Sequence, residues 1–216
     1  TLGGLTFSDG DLADYVPASN TATLFFDESN FLSNEDIDAL FIRGQLIYLS
    51  TDSDATLGGL SFRDGDIVAY NPLTDTATLF FSEDLFSHDE NIDALHILSN
   101  GNIVLSTLTT ATIGGMTFAD GDLIEYNPLT NTATELFSES LFAANENIDS
   151  VHIRPNGRIV LSTSTQATLA GFTFENGDLV EYDPIGGTVR RIFNENNFSD
   201  SENLDAIFII SEPASW

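Results

Sequence analysis

Cysteine and lysine are both missing from the 216 residues, and methionine and tryptophan occur once each. Without Cys, disulfides, thiolate metal sites and thiol nucleophiles are excluded together, although a chain can still fold outside the cell without them. Without Lys, amine nucleophiles are excluded as well. All six basic residues are arginines (Arg43, Arg63, Arg154, Arg158, Arg190 and Arg191), against 34 Asp and Glu, for a formal charge of −28. Such a surface repels phosphate backbones and anionic bilayers, which argues against nucleic-acid and membrane partners. No helical periodicity is sustained, no run is long and apolar enough to span a bilayer, and no signal peptide is visible at Thr1, as expected of a mature end.

What is present is apolar, acidic and repeated. Hydrophobic residues make up 42 %, with 17 Phe, enough for the core of a single domain over 1–216. "TLGGLTFSDGDLADYVP" at Thr1 returns as "TLGGLSFRDGDIVAYNP" at Thr56, "TIGGMTFADGDLIEYNP" at Thr112 and "TLAGFTFENGDLVEYDP" at Thr168, a period of 55 or 56 residues. The one-residue loss falls in a turn, "RGQ" at Arg43 against "SNGN" at Ser99 and "PNGR" at Pro155, where it leaves strands intact.

Each repeat holds four strand-like runs, typified by "NIDALHI", "NIVLST", "DLIEYNP" and "TATLFF". Asn-Gly turns at Asn100 and Asn156 separate the first two, and Pro turns separate the last two. The remaining connection, "LTTATIGGMTFADG" from Leu108, is long. Four-stranded units in this number predict an all-β, four-bladed β-propeller, with the first run of each blade lining the axis. Blades are expected near 35–82, 90–138 and 146–193, with a fourth joining 202–216 to 1–26 so that strands from both chain ends close the ring. The chain reaches Trp216 where the second strand of that blade should begin, so this strand is short, removed, or supplied by another chain.

The acids repeat with the strands. Asp38, Asp93, Asp149 and Asp205 lie inside the most apolar run, where an axial arrangement brings them to one height. At an effective dielectric of about 20, two such charges 4 Å apart repel by roughly 4 kcal/mol, so the set must protonate, bind Arg and water, or hold a cation. Glu35, Glu90, Glu146 and Glu202 open the same runs. Strand order places them beside the turns of Asp9 and Asp11, Asp64 and Asp66, Asp120 and Asp122, and Asn176 and Asp178. These oxygens suit Ca²⁺, which takes about 6–8 ligands; they equally suit Asp hydrogen-bonded to turn amides, with no metal. The spacing matches neither an EF-hand nor the nonapeptide calcium repeat.

Catalytic signals are few. His96 and His152 occupy the position of Phe41 and Phe208, which reads as a packing site, and His88 lies in a solvated turn. Carboxylate pairs recur in every repeat, whereas an active site usually breaks the repeat. Tyr15, Tyr70, Tyr126 and Tyr182, with Phe7, Phe62, Phe118 and Phe174, either pack between blades or stack on sugars.

The run "DENIDALHILSNGNIVLSTLTTATIGGMTFADGDLIEYNP" resembles an acidic repeat of exported bacterial proteins, and the likeness covers essentially the whole chain. It implies export and a propeller-like fold, and no reaction. "SEPASW" from Ser211 resembles the start of a PEP-CTERM sorting signal, which implies delivery to the envelope or matrix of a Gram-negative bacterium. The expectation is a non-enzymatic extracellular module, stabilised by Ca²⁺, in surface or biofilm-matrix assembly, with itself or extracellular polysaccharide as partner and strand addition as a route to polymers. The alternatives are a carbohydrate-binding propeller and, behind it, a calcium-dependent hydrolase.

Overall fold

Every strand-like run becomes a strand where a neighbour is available to pair with it. The computed structural model describes residues 1–210. Strands β1 (Leu12–Val16) and β2 (Thr21–Phe26) form an N-terminal hairpin. Three four-stranded antiparallel sheets follow. The first contains β3 (Ile37–Arg43), β4 (Leu46–Thr51), β7 (Ile67–Asn71) and β8 (Thr76–Phe81). The second contains β9 (Ala94–Ile97), β10 (Ile103–Ser106), β13 (Leu123–Asn127) and β14 (Thr132–Phe137). The third contains β15 (Ser150–Ile153), β16 (Ile159–Ser162), β19 (Leu179–Asp183) and β20 (Thr188–Phe193). In each, spatial order follows chain order.

The long connection is not a plain loop. It folds into a small hairpin in each sheet: β5 (Ala55–Leu57) with β6 (Leu60–Phe62), β11 (Ala111–Ile113) with β12 (Met116–Phe118), and β17 (Ala167–Leu169) with β18 (Phe172–Phe174). Three-residue strands are too short for alternation to register in a sequence. Their turn needs positive φ at two successive residues, supplied by Gly58 (55°) and Gly59 (79°) in the first copy.

The core lies between neighbouring units. One apolar cluster joins the N-terminal hairpin to the first sheet through Leu12, Phe26, Leu49 and Tyr70, a second joins the first sheet to the second, and a third joins the second to the third. First strands meet at the centre: β3 lies against β9, β9 against β15, and β15 against β3.

Several contacts recur once per repeat, and in the aromatic pairs and the isolated bridges the last copy joins the two ends of the chain. Phe26 meets Tyr70 edge-on at 5.8 Å, Phe81 meets Tyr126 at 5.9 Å, Phe137 meets Tyr182 at 5.6 Å, and Phe193 meets Tyr15 at 5.7 Å. Isolated bridges pair Phe31 with Leu57, Phe86 with Ile113, Phe142 with Leu169, and Phe198 with Leu2. The turn glycines Gly10, Gly65, Gly121 and Gly177 press on the carbonyls of Glu35, Glu90, Glu146 and Glu202, so closely that a Cβ would collide with them.

A fourth four-stranded sheet, expected from 202–216 with 1–26, is not formed among the described residues. β1 pairs only with β2, residues 201–210 carry no strand, and none of the sheets closes into a barrel. The reason is a missing neighbour. In the second sheet β9 pairs with β10 and β10 with β13, whereas no described residue supplies that middle strand to the fourth unit. The segment still holds the central position, with Phe208 5.4 Å from Phe41 and 5.5 Å from His152. "SEPASW" lies outside the described residues.

Candidate functional site

Where the first strands converge, Asp38, Asp93 and Asp205 line one small depression together with Ser150. Asp149 adjoins it, within electrostatic reach of Asp205 and Asp93. Burial is the main force on all four carboxyls, and it favours the neutral acid. It pushes Asp38 up to about 8, Asp93 and Asp149 to about 7 and Asp205 to about 6, with neighbouring carboxylates adding to the rise. Amides from the following repeat oppose the shift. The Nδ2 group of Asn91 donates to Asp38 Oδ2 at 3.0 Å, that of Asn147 to Asp93 Oδ2 at 2.8 Å, and that of Asn203 to Asp149 Oδ2 at 2.8 Å.

The seam between the last and first repeats departs from this pattern. Asp36 stands where the other repeats have Asn91, Asn147 and Asn203, so across this seam Asp205 faces a carboxyl, and its amide partner is Asn203 of its own repeat. Burial raises Asp205, followed by the charges of Asp36 and Asp9. Burial also raises Asp36, followed by Asp9 and Asp52, and its Oδ1 is buried without a hydrogen-bond partner.

Elsewhere along the same strands, four aromatic rings form a closed square. Phe41 and His96 are 4.9 Å apart, His96 and His152 4.9 Å, His152 and Phe208 5.5 Å, and Phe208 and Phe41 5.4 Å. Burial depresses His96 to about 3 and His152 to about 4, so both are neutral near pH 7. Each uses Nδ1 to accept a backbone N–H of the next repeat, from Ile153 at 3.2 Å and from Ile209 at 3.3 Å. The Phe-for-His exchange in the sequence signals the packing; nothing in it signals the acceptor role. His88 is exposed in its turn.

The turn acids are spread over four separate places. Asp11 Oδ2 accepts from the Ser8 amide and its Oδ1 from the Glu28 amide, both at 2.8 Å. Asp66 does the same with Arg63 and Glu83, Asp122 with Ala119 and Glu139, and Asp178 with Glu175 and Glu195. Both oxygens of these four carboxylates are therefore used as struts between a turn and the short 3₁₀ segment after the outer strand. Asp64 and Asp120 contribute backbone carbonyls, which accept from Ser50 Oγ at 2.6 Å and Ser106 Oγ at 2.7 Å. Asp9 is exposed in the equivalent turn.

The four glutamates also find protein partners. Glu35 accepts from Ser33 and Ser53, Glu90 from Thr109 and Glu146 from Thr165; Glu202 lies 3.8 Å from the N-terminal ammonium. Among the described residues no group of three or more His, Asp or Glu is close enough to hold a metal ion. Of the fifteen expected cation ligands, the axial Asp set lies closest around the centre, where burial favours the neutral acid, and Asp9 and Asp120 act on it from the turns.

The repeated aromatics are largely consumed by packing. Tyr70 and Tyr126 are 1 % exposed, Phe118 2 % and Phe174 1 %, and Tyr182 and Phe62 are buried too, so only Tyr15 and Phe7 keep partial access. One feature has no counterpart in the sequence reading. Buried Glu181 draws in Arg154, Arg158 at 2.9 Å and Arg190 at 2.8 Å, while Arg158 also reaches Asp183. Arg191 binds Asp178 at 3.0 Å, and Arg63 binds Glu83 at 2.9 Å and Asp84 at 2.8 Å. Arg43 donates to the carbonyls of Ile97 and Leu98.

No family model matches the chain, and no curated protein is significantly similar to it. Among solved structures it is similar to the extracellular domain of a hybrid two-component system from B. thetaiotaomicron, at 17 % identity and a TM-score of 0.35 over 94 % of this chain and 23 % of that one. The extracellular domain of a one-component system from the same organism matches at 15 % and 0.36, over 86 % of this chain and 27 % of that one. A protein of unknown function from Bacteroides caccae matches at 9 % and 0.38, over 88 % and 71 %. A likeness this faint says nothing of activity.

Proposed function

We propose that the chain is a non-enzymatic interaction module of the cell exterior, built as a four-bladed β-propeller whose last blade draws on both chain ends. The blade count is supported by contacts that recur four times, with Phe193–Tyr15 and Phe198–Leu2 as the closing pairs. Placement in the envelope or matrix of a Gram-negative bacterium rests on the likeness to an exported repeat and on "SEPASW".

One observation carries the non-enzymatic reading. The side chains that could do chemistry are committed to bonds that hold repeat to repeat or turn to strand. Axial Asp38, Asp93 and Asp149 take Asn amides, His96 and His152 take backbone N–H groups, and the turn Asp take two amides each. An active site needs convergent polar groups left over for a substrate. Few are left here, such as the unpartnered oxygens of Asp36, Glu139 and Glu195, and a sugar-stacking platform would have to manage without the buried Tyr and Phe. Amides on both oxygens of the turn carboxylates support an architecture that holds without calcium.

Co-sedimentation with the extracellular matrix fraction of the source bacterium tests the reading, run with and without chelator. Retention in the pellet under both conditions is expected, together with silence in hydrolase screens. A turnover that vanishes in Asp93→Asn would overturn it, and melting that drops in chelator would restore the calcium-stabilised version.

A further inference from the structure

The acidic charge is not spread evenly. In each sheet the turn between the first two strands and the turn between the last two lie at one end, because neighbouring strands run antiparallel. The same ends meet at the centre, where Arg43 at the end of β3 donates to the carbonyls of Ile97 and Leu98 at the end of β9. The turns of this end present Arg43, Arg154 and Arg158 against Asp75 and Asp183. Behind them, buried Glu181 is held by three arginines, Glu125 accepts from Asn102, and Asp14 and Glu135 stay exposed on their strands. Every other acid of the described residues lies at or beside the turns of the opposite end. Five-residue strands such as β7 hold the two ends roughly 17 Å apart, about two Debye lengths at physiological ionic strength. The repulsion of lipid expected from the total of −28 therefore acts at the acidic end and spares this one.

The near-neutral end also carries the two most exposed large apolar side chains of the described residues, Ile185 at 95 % and Leu129 at 91 %, together with Leu73 at 73 %. Each follows the proline of the turn between the last two strands of its sheet; the N-terminal hairpin has Ala18 there. These tips are held stiffly. The backbone N–H groups of Leu73, Leu129 and Ile185 donate to Asn71, Asn127 and Asp183 at 2.9 or 3.0 Å, and the preceding proline fixes φ. On the far side of the turn, the hydroxyls of Tyr70 and Tyr126 tie down Asp75 and Asn131 at 3.1 Å. An aliphatic side chain braced in this way loses little freedom on docking.

A protein partner fits this end poorly. The three tips stand on different sheets, and each is flanked by an exposed polar residue or glycine, Thr74, Thr130 or Gly186. They form no continuous apolar patch of the kind a stable protein interface needs. A lipid surface accepts separated aliphatic side chains without matching pockets, and three tips at one end define a plane. Arg43, bonded to backbone carbonyls, keeps a positive charge for a phosphate head group.

We infer that the end bearing Leu73, Leu129 and Ile185 docks on a lipid surface. The three tips dip into the boundary between head groups and acyl chains, and the acidic end faces away from it. Contact stops at that boundary, so the chain lies on the bilayer without spanning it. This deepens the interaction-module reading by naming its partner, and rests on it.

The test floats the full chain with phosphatidylcholine vesicles on a density gradient, and again with part of the lipid replaced by phosphatidylglycerol. Flotation with both is expected. Leu129→Ser and Ile185→Ser should each lower the partition coefficient about tenfold, the loss expected for one buried aliphatic side chain. The triple variant that adds Leu73→Ser should not float. Leu32→Ser, at an 83 % exposed site on the acidic end, should float like the native chain. All four sites are exposed, and unchanged melting temperatures verify the fold of each variant. Absence of flotation with both vesicles, or flotation of the triple variant, would overturn the docking. Self-association that the triple variant abolishes, in a chain that does not float, would also overturn it, since the partner is then a second copy. A chain that pellets with the matrix yet never floats sinks the lipid docking alone; a turnover that vanishes in Asp93→Asn sinks the non-enzymatic reading and leaves flotation standing.

Discussion

An aspartate placed in an apolar strand has two ways to survive burial: it can find a counter-charge, or it can keep its proton. Asp38 follows the second course, and Asp93, Asp149 and Asp205 follow it to lesser degrees. This reverses the usual dependence of stability on pH. Between the ordinary 3.8 and about 8, the unfolded chain releases protons that the folded chain retains. Stability therefore falls as pH rises through that window and is greatest near its acidic end. Glu181 and Asp183 pull the other way in more acidic solution. His96 and His152, lowered from 6.5 to about 3 and about 4, pull the other way below 6.5, so they make the fall shallower there without reversing it against four carboxyls. Melting temperature is thus expected to drop from about pH 5 to about pH 8, and Asp38→Asn should flatten the slope. Asp36→Asn should raise the melting point most at the alkaline end, by giving Asp205 the cross-repeat amide that its three counterparts receive. A melting point that is flat or climbs over this range would show that the axial acids are ionised throughout.

At the scale of elements, much was legible before any coordinates. The repeat, its four runs and the Asn-Gly turns follow from alternation and turn chemistry, because both are written in adjacent residues. The 3-residue inserted hairpins were not legible, since their stability lies in contact with the outer strand. The role of the turn acids was also hidden: a carboxylate presents the same oxygens to a calcium ion and to a backbone amide, and only the position of Glu28, Glu83, Glu139 and Glu195 decides between them. One hairpin carries a visible flaw. Ala170 takes φ of 50° at the position held by Gly58 and Gly114 in its counterparts. A Cβ at Gly114 would meet the Ala133 amide nitrogen at 2.6 Å, and an L-residue in this region is strained by roughly 1–2 kcal/mol. Offset by the added freedom of glycine in the unfolded chain, Ala170→Gly should stabilise by about 1 kcal/mol in urea melts. Unchanged or lower stability would mean that the third hairpin has relaxed around its methyl group.

For the molecule as a whole, the question is whether the two ends of the chain behave as neighbours. The −28 charge works against compactness, and the last-to-first seam has two acids where other seams have an acid and an amide. Its backbone bond from Ser199 to Thr1 matches those of the other seams, so apolar contact carries more of this seam. A double-mutant cycle on Tyr15→Leu and Phe193→Leu measures that contact directly, with Tyr70→Leu and Phe26→Leu as the internal standard. Edge-to-face aromatic pairs couple by about 0.5–1.5 kcal/mol, and the two cycles should agree, because their geometries match at 5.7 Å and 5.8 Å. Coupling in the standard with none between Tyr15 and Phe193 would describe a row of modules with free ends. Equal coupling would mean that the last repeat is held to the first as firmly as the others are to one another, in a closed, cooperative ring.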